Sequence, residues 1–211
     1  LRQQAEQLPE VERPQVLQGD LDDLPRLLAE AGYAEVRFDL VVGRNALTQQ
    51  PDKTRALRGV AALLQPGGAV SLAEVMPRHA QRLYQLVNLA SLDPDVAETL
   101  RAAEEGIYAD ASDPMTNWDA QDLREALEGA GLVDVSVEAV EMPREVPITP
   151  DLIARWFEPA ASDRPSYGQH LARHLDPGAL ADARALYTRE LVGKTVSWRS
   201  VVAFVVGGKE R

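Results

Sequence analysis

The sequence predicts an α/β protein with a mostly parallel sheet, and three neighbouring stretches predict it. Phe38-Asp39-Leu40-Val41-Val42 is a short apolar, β-branched run that stops at Gly43. Residues 69–74 (AVSLAE) form a second such run, opened by Pro66-Gly67-Gly68. Between them Asp52 is placed to cap a helix whose apolar positions Ala56, Leu57, Val60, Ala61, Leu63 and Leu64 recur with helical spacing. Strand, crossover helix and parallel strand make one right-handed unit, and in such sheets ligands sit beyond the carboxyl ends of the strands. Those ends are Gly43-Arg44-Asn45 and Glu74-Val75-Met76.

The remaining elements come in order. Residues 1–12 (LRQQAEQLPEVE) read as the tail of a polar surface helix, closed by Pro14. Residues 15–20 (QVLQGD) read as a short strand ending in Gly-Asp. Residues 21–32 place Leu21, Leu24, Leu27, Leu28 and Ala31 on one helical face, with a break near Pro25 and Gly32 as the stop. After the central unit, residues 77–118 change to helices without strands: one over 79–92, and a second that begins after Asp93. An insertion at this point overhangs the strand ends as a lid, or simply fills out the core. Asp119 starts a helix that ends at Gly131, and residues 132–140 alternate as a strand with one wet face. Residues 142–150, with three prolines, are expected to be a loop. Short and long helices over 151–158 and 177–191 and a final strand over 194–206 complete a single domain spanning 1–211.

Composition narrows the function. With 22 Lys and Arg against 33 Asp and Glu the net charge is -11, and no basic stripe is present, so direct nucleic-acid contact is not expected. Having no cysteine, the chain has no disulfide, thiolate metal site or cysteine nucleophile. No apolar run approaches the ~20 residues of a membrane span. A cytoplasmic location and no membrane contact are therefore expected. The chain opens at Leu1 rather than at a methionine, which suggests a piece of a longer protein.

Read together, VLQGDLDDLP (16–25), FDLVVGRNAL (38–47), LRGVAALLQPGGAVSLAEV (57–75), ALEGAGLVDVSVEAV (126–140) and WRSVVAFVVGG (198–208) resemble the C-terminal two-thirds of a class I S-adenosylmethionine-dependent methyltransferase. The resemblance implies a Rossmann-like sheet of strand order 3-2-1-4-5-7-6 with an antiparallel last strand, and S-adenosylmethionine as cofactor. It implies that Asp20 accepts from the adenine amine while the Leu21 N–H meets the ring, an acceptor-only carboxylate suiting a two-donor amine. Alternatively, Asp20 merely caps the helix that starts at Leu21. Gly43, Arg44 and Asn45 would lie beside the methionine part of the cofactor, or form a plain strand-to-helix connection.

The family's glycine-rich loop and its acidic ribose-binding residue do not precede Val16 in this sequence. The domain is thus expected to be N-terminally truncated relative to the family and to bind S-adenosylmethionine poorly or not at all by itself. Residues 16–18 must then pair beside Phe38 or hang off the sheet edge, and an open edge recruits other chains, so a homodimer is expected there. More narrowly, RPQVLQGDLDDL with FDLVVGRNAL resembles the methyltransferase-like domain fused behind a replication-associated recombination AAA+ ATPase. That resemblance implies an upstream ATPase as partner, a place in DNA recombination, and a non-catalytic interaction role as the alternative to methyl transfer.

No catalytic residue is assigned. Glu74, at the end of the second strand, is a candidate base or a cap. His170 and His174 are spaced to share a helix face but lack a third ligand, so no metal site is expected. The serines lack a nucleophile elbow, and there is no P-loop.

Overall fold

The computed structural model describes residues 7, 9, 12–160 and 164–211. Its elements are α1 (Leu24–Glu30), β1 (Phe38–Arg44), α2 (Lys53–Leu63), β2 (Leu64–Val75), α3 (Pro94–Ala109), α4 (Ala120–Gly129), β3 (Val133–Pro147), α5 (Pro150–Phe157), α6 (Tyr167–Leu171), α7 (Pro177–Leu191) and β4 (Thr195–Gly208). The helix tail expected over residues 1–12 lies largely outside the described residues.

The α/β class holds. The sheet order is β1-β2-β4-β3. β1 and β2 pair in parallel, and β4 runs antiparallel to both β2 and β3. Three of the four strands therefore point the same way, with one reversed strand inserted between β2 and β3. This is the 4-5-7-6 half of the strand order that the resemblance implies.

Local chemistry starts and stops these elements. The Asp52 side chain accepts from the Arg55 N–H at 2.8 Å to open α2. Asp93 caps α3, and Asp119 caps α4 in a capping box with Asp122. Gly131, at φ 84°, takes the left-handed turn that sends α4 into β3. One core lies between the sheet and the helices α2 and α4, centred on Leu57, Leu64, Val70, Leu123 and Leu127. A second joins α3, α5, α6 and α7 through Leu100, Leu171, Leu186 and Tyr187. Residues 77–118 contribute Leu83, Leu89, Leu100 and Ala103 to this second core.

Three expectations are corrected. Residues 13–18 form no strand and pair with none among the described residues. Of residues 12–20 only Val16 and Leu17 are even half-buried. Residues 79–92 form three short 3-10 turns (Pro77–His79, Leu83–Leu86, Leu89–Ser91) instead of an α-helix. The cause is competition for the backbone: Gln81 and Arg199 exchange bonds at 3.1 and 3.2 Å. The buried Glu104 carboxylate also takes the N–H groups of Leu83 and Tyr84. Residues 142–147, expected as a loop, continue β3, with Pro143 opposite Arg199 and Pro147 opposite Thr195. Because β3 is an edge strand, a proline there forfeits no ladder bond that a further strand would need.

Candidate functional site

The parallel strands β1 and β2 end side by side, and β2 fixes how the chain leaves β1. Gly43 packs closely on Leu72: a Cβ here would lie 2.8 Å from the leucine Cδ2, so that side chain would have to shift to admit one. Arg44 is exposed at the strand end. Asn45 turns the chain at φ 52°; its N–H donates to the Ala73 carbonyl at 3.0 Å and its Oδ1 accepts from the Val75 N–H at 3.0 Å. Asparagine tolerates this left-handed conformation better than most side chains.

Glu74, fully buried, takes over from there. Its carboxylate accepts from the N–H groups of Ala46 (2.8 Å), Leu47 (3.1 Å) and Thr48 (3.1 Å) and from the Thr48 hydroxyl (2.9 Å). Such a carboxylate, with four donors, is a clamp on the loop after β1 and has no free oxygen to serve as a base. Beneath the loop, the Lys53 ammonium donates to the carbonyls of Gln50 (3.0 Å) and Pro114 (2.9 Å) and sits 5.1 Å from the centre of the Trp118 ring. Burial draws its pKa below the ordinary lysine value, against the attraction of Glu74. Trp118 is buried, and its indole N–H has no hydrogen-bond partner among the described residues.

On the outer side of this loop is a groove of about 330 Å³, lined by Gly19, Asp20, Leu21, Leu24, Ala46 and Gln50 among others. Thus Asp20 and Leu21 come together with the loop after β1, through Ala46 and Gln50, while Gly43, Arg44 and Asn45 do not line the groove. Asp20 precedes the 3-10 turn Leu21–Asp23, but its side chain makes no capping bond. The carboxylate is therefore not spent on the helix it precedes. The Leu21 N–H, first in its turn, has no intrahelical acceptor either.

One region escaped the sequence reading. Arg78 and His79 come directly after β2 and meet Arg199 of β4 in a groove of about 300 Å³; the only signal was two basic residues just past a strand end. A cavity of about 520 Å³ opens between α3 and α6 and is lined by Asp113, Arg173 and the two histidines that the sequence singled out, His170 and His174. Burial lowers the His170 pKa. Among the described residues no group of three or more His, Cys, Asp or Glu is arranged to hold a metal ion. None of the helices among them is long and apolar enough to cross a membrane.

No family model matches the chain. It is 28% identical over 136 residues to a polyketide synthase-nonribosomal peptide synthetase of Talaromyces wortmannii, a stretch covering 64% of this chain and 4% of that protein. It is 34% identical over 61 residues to the lovastatin nonaketide synthase of Monascus pilosus, covering 29% of this chain and 2% of that protein. The chain thus spans only a few per cent of the length of these curated relatives. Among solved structures it is similar to a candidate methyltransferase from Bacillus halodurans, with a TM-score of 0.44 and 14% identity over 95% of this chain and 73% of that one. It is also similar to phosphoethanolamine N-methyltransferase 2 of Haemonchus contortus, determined with phosphomonomethylethanolamine and S-adenosylhomocysteine. There the TM-score is 0.35 and the identity 13%, over 82% of this chain and 34% of that one.

Proposed function

We propose that this chain takes part in methyl transfer from S-adenosylmethionine, gripping the adenine end of the cofactor. The observation that carries the reading is the uncommitted Asp20 carboxylate, in a groove against the loop after β1. The residues fit the group at that end: Asp20 would accept from the exocyclic amine, the Leu21 N–H would donate to the ring, and the apolar Leu21, Leu24 and Ala46 of the groove lining would give it an apolar wall. When bound, S-adenosylmethionine supplies an electrophilic methyl group for displacement by a nucleophilic acceptor. The chain's own share is to bind and orient. Glu74, Asn45 and Lys53 hold the loop after β1 fixed, so that the groove wall is preformed.

The test is a titration of S-adenosylhomocysteine into the 211-residue chain, monitored by backbone amide NMR. Saturable shifts at Leu21, Ala46 and Gln50, weakened about tenfold or more by Asp20→Ala through loss of a charged hydrogen bond, are expected. No shifts at these amides, or shifts that Asp20→Ala leaves intact, would overturn the reading.

A second reading, self-association, has its own support. β1 is an edge strand, and its side chains Leu40 and Val42 are 54% and 71% exposed. We propose that a second copy adds to this edge. Association with an upstream AAA+ ATPase draws no support from the two curated relatives, a polyketide synthase-nonribosomal peptide synthetase and a nonaketide synthase.

A further inference from the structure

We propose that the groove beside residues 76–85 binds a small oxyanion, a phosphate monoester or a carboxylate, carried by the methyl acceptor. The assignment of that anion to an acceptor rests on the methyl-transfer reading; the anion site itself does not. In a chain of net charge -11, Arg78, His79 and Arg199 converge on one groove, with Arg82 at its wall.

Their charges differ in what they already do. Arg82 is spent: its guanidinium bonds both Glu105 oxygens at 3.2 Å and the carbonyls of Ala80 and Arg78, and it stacks 3.7 Å from the centre of the Tyr108 ring. No such bond holds the side chains of Arg78 and Arg199 among the described residues, yet the backbone beneath each is pinned. Arg82 holds the Arg78 carbonyl, and Gln81 exchanges two bonds with the Arg199 backbone. Three carboxylates lie nearby. Glu105 is taken by Arg82 and by the Tyr84 hydroxyl, and Asp119 is taken by the cap of α4. Glu141, exposed on β3, lines the groove beside the two guanidinium groups, and Asp119, outside the lining, attracts Arg78 and His79.

Within the groove's own lining three guanidinium groups face two carboxylates, so the surplus there is positive, on a fixed framework, with forks suited to bidentate contact with an oxyanion. Its position also suits an acceptor. Met76 is tied to β4 through its N–H and the Val201 carbonyl at 2.9 Å. His79 lines both this groove and an adjoining apolar one with Met76, Ala139 and Val201, so the anion site opens toward the carboxyl end of β2. A single oxyanion suits the site and a nucleic acid does not, because the chain offers no further basic track for successive phosphates.

The experiment is a titration of the chain with inorganic phosphate and, separately, with acetate at constant ionic strength, monitored by amide shifts at residues 78–82 and 199. Saturable shifts in the millimolar range are expected, at least tenfold weaker in the double variant Arg78→Gln/Arg199→Gln and unchanged in Arg26→Gln. Tighter phosphate binding assigns a phosphate monoester, and equal or tighter acetate binding a carboxylate; both support the site. Absence of saturable shifts at tens of millimolar, or shifts undiminished in a folded double variant, overturns it. Should the double variant not fold, Arg78→Gln alone gives the same decision. Binding of S-adenosylhomocysteine without phosphate binding would sink this inference and leave the methyl-transfer reading standing. Phosphate binding without S-adenosylhomocysteine binding would do the reverse.

Discussion

Replacing Glu74 tests the claim that β2 fixes the loop in which the candidate cofactor groove is built. Oε2 accepts from Leu47, Thr48 and the Thr48 hydroxyl, while Oε1 accepts only from Ala46. Glu74→Gln can place its amide oxygen at the Oε2 position and keep three of the four bonds. Its NH2 then faces the Ala46 N–H, a single donor left without an acceptor, at about 2 kcal/mol. Glu74→Ala leaves all four donors unpaired. At about 1 kcal/mol each, the low end because the vacated space admits water, the loss is about 4 kcal/mol, a large part of the ~5–15 kcal/mol that holds a domain folded. Urea unfolding measures both. Amide exchange at Ala46, Leu47 and Thr48 should accelerate in Glu74→Ala beyond what the global loss explains. Equal and small losses, under about 1 kcal/mol for both variants, would refute the clamp and return Glu74 to the candidates for a base.

Other places in the fold give four further outcomes. Gly168→Ala should cost about 1–3 kcal/mol in urea melts, because its Cβ would run into the Phe157 backbone, 2.7 Å from that residue's Cα. Burial raises the pKa of Glu104 in the folded chain, so its contribution favours folding below the unfolded value of roughly 4.3 and fades as pH rises through the folded one. Urea midpoints of wild type relative to Glu104→Gln should accordingly be highest at acidic pH and fall as pH rises. Trp118→Phe should cost no more than about 1.5 kcal/mol, since the lost indole N–H has no partner among the described residues to leave behind. Light scattering at rising concentration should detect self-association that Val42→Lys abolishes; a monomer at all concentrations would dismiss the open-edge proposal.

What could be read in advance was whatever is written in short-range spacing. The run from Phe38 to Val42 and the helical period behind Asp52 gave the parallel pair, because period is a local signal; Pro66-Gly67-Gly68, expected as a turn before the second strand, lies within β2 at a break in its register with β1. Asp93 and Asp119 marked their helices for the same reason. The failures came where a distant residue outbid the local one. Leucine spacing over residues 79–92 suits a helix, but Glu104 and Arg199 claim its backbone groups from later elements. The prolines at 143 and 147 look like loop residues until β4 is known to lie alongside. In the candidate site, Asp20 was singled out by the resemblance to methyltransferases, which names a Gly-Asp at this point of the chain. The meeting of Arg78 with Arg199 could not be singled out in advance, since only the pairing of β4 with β2 brings them together.

The sheet itself argues that the chain's surface is divided in purpose. A sheet of this class buries both faces. Here α2 and α4 cover one, burying Leu64, Val70, Leu72, Ala203 and Val205. On the other, Leu40 and Val42 of β1 and Phe204 and Val206 of β4 stand 43–71% exposed, flanking the half-buried Ser71 and Ala73 between them. A contiguous apolar patch of this kind is rare on a solvated face. It adjoins the open β1 edge, whereas the groove at Asp20 and the basic groove at Arg78 both lie at the strand ends. Charged substitutions at Val42 or Phe204 should therefore change association and solubility while leaving the Asp20 and Arg78 responses unmoved. Loss of all three together would instead mean that the bare face supports the strand ends, and that association and ligand binding cannot be separated.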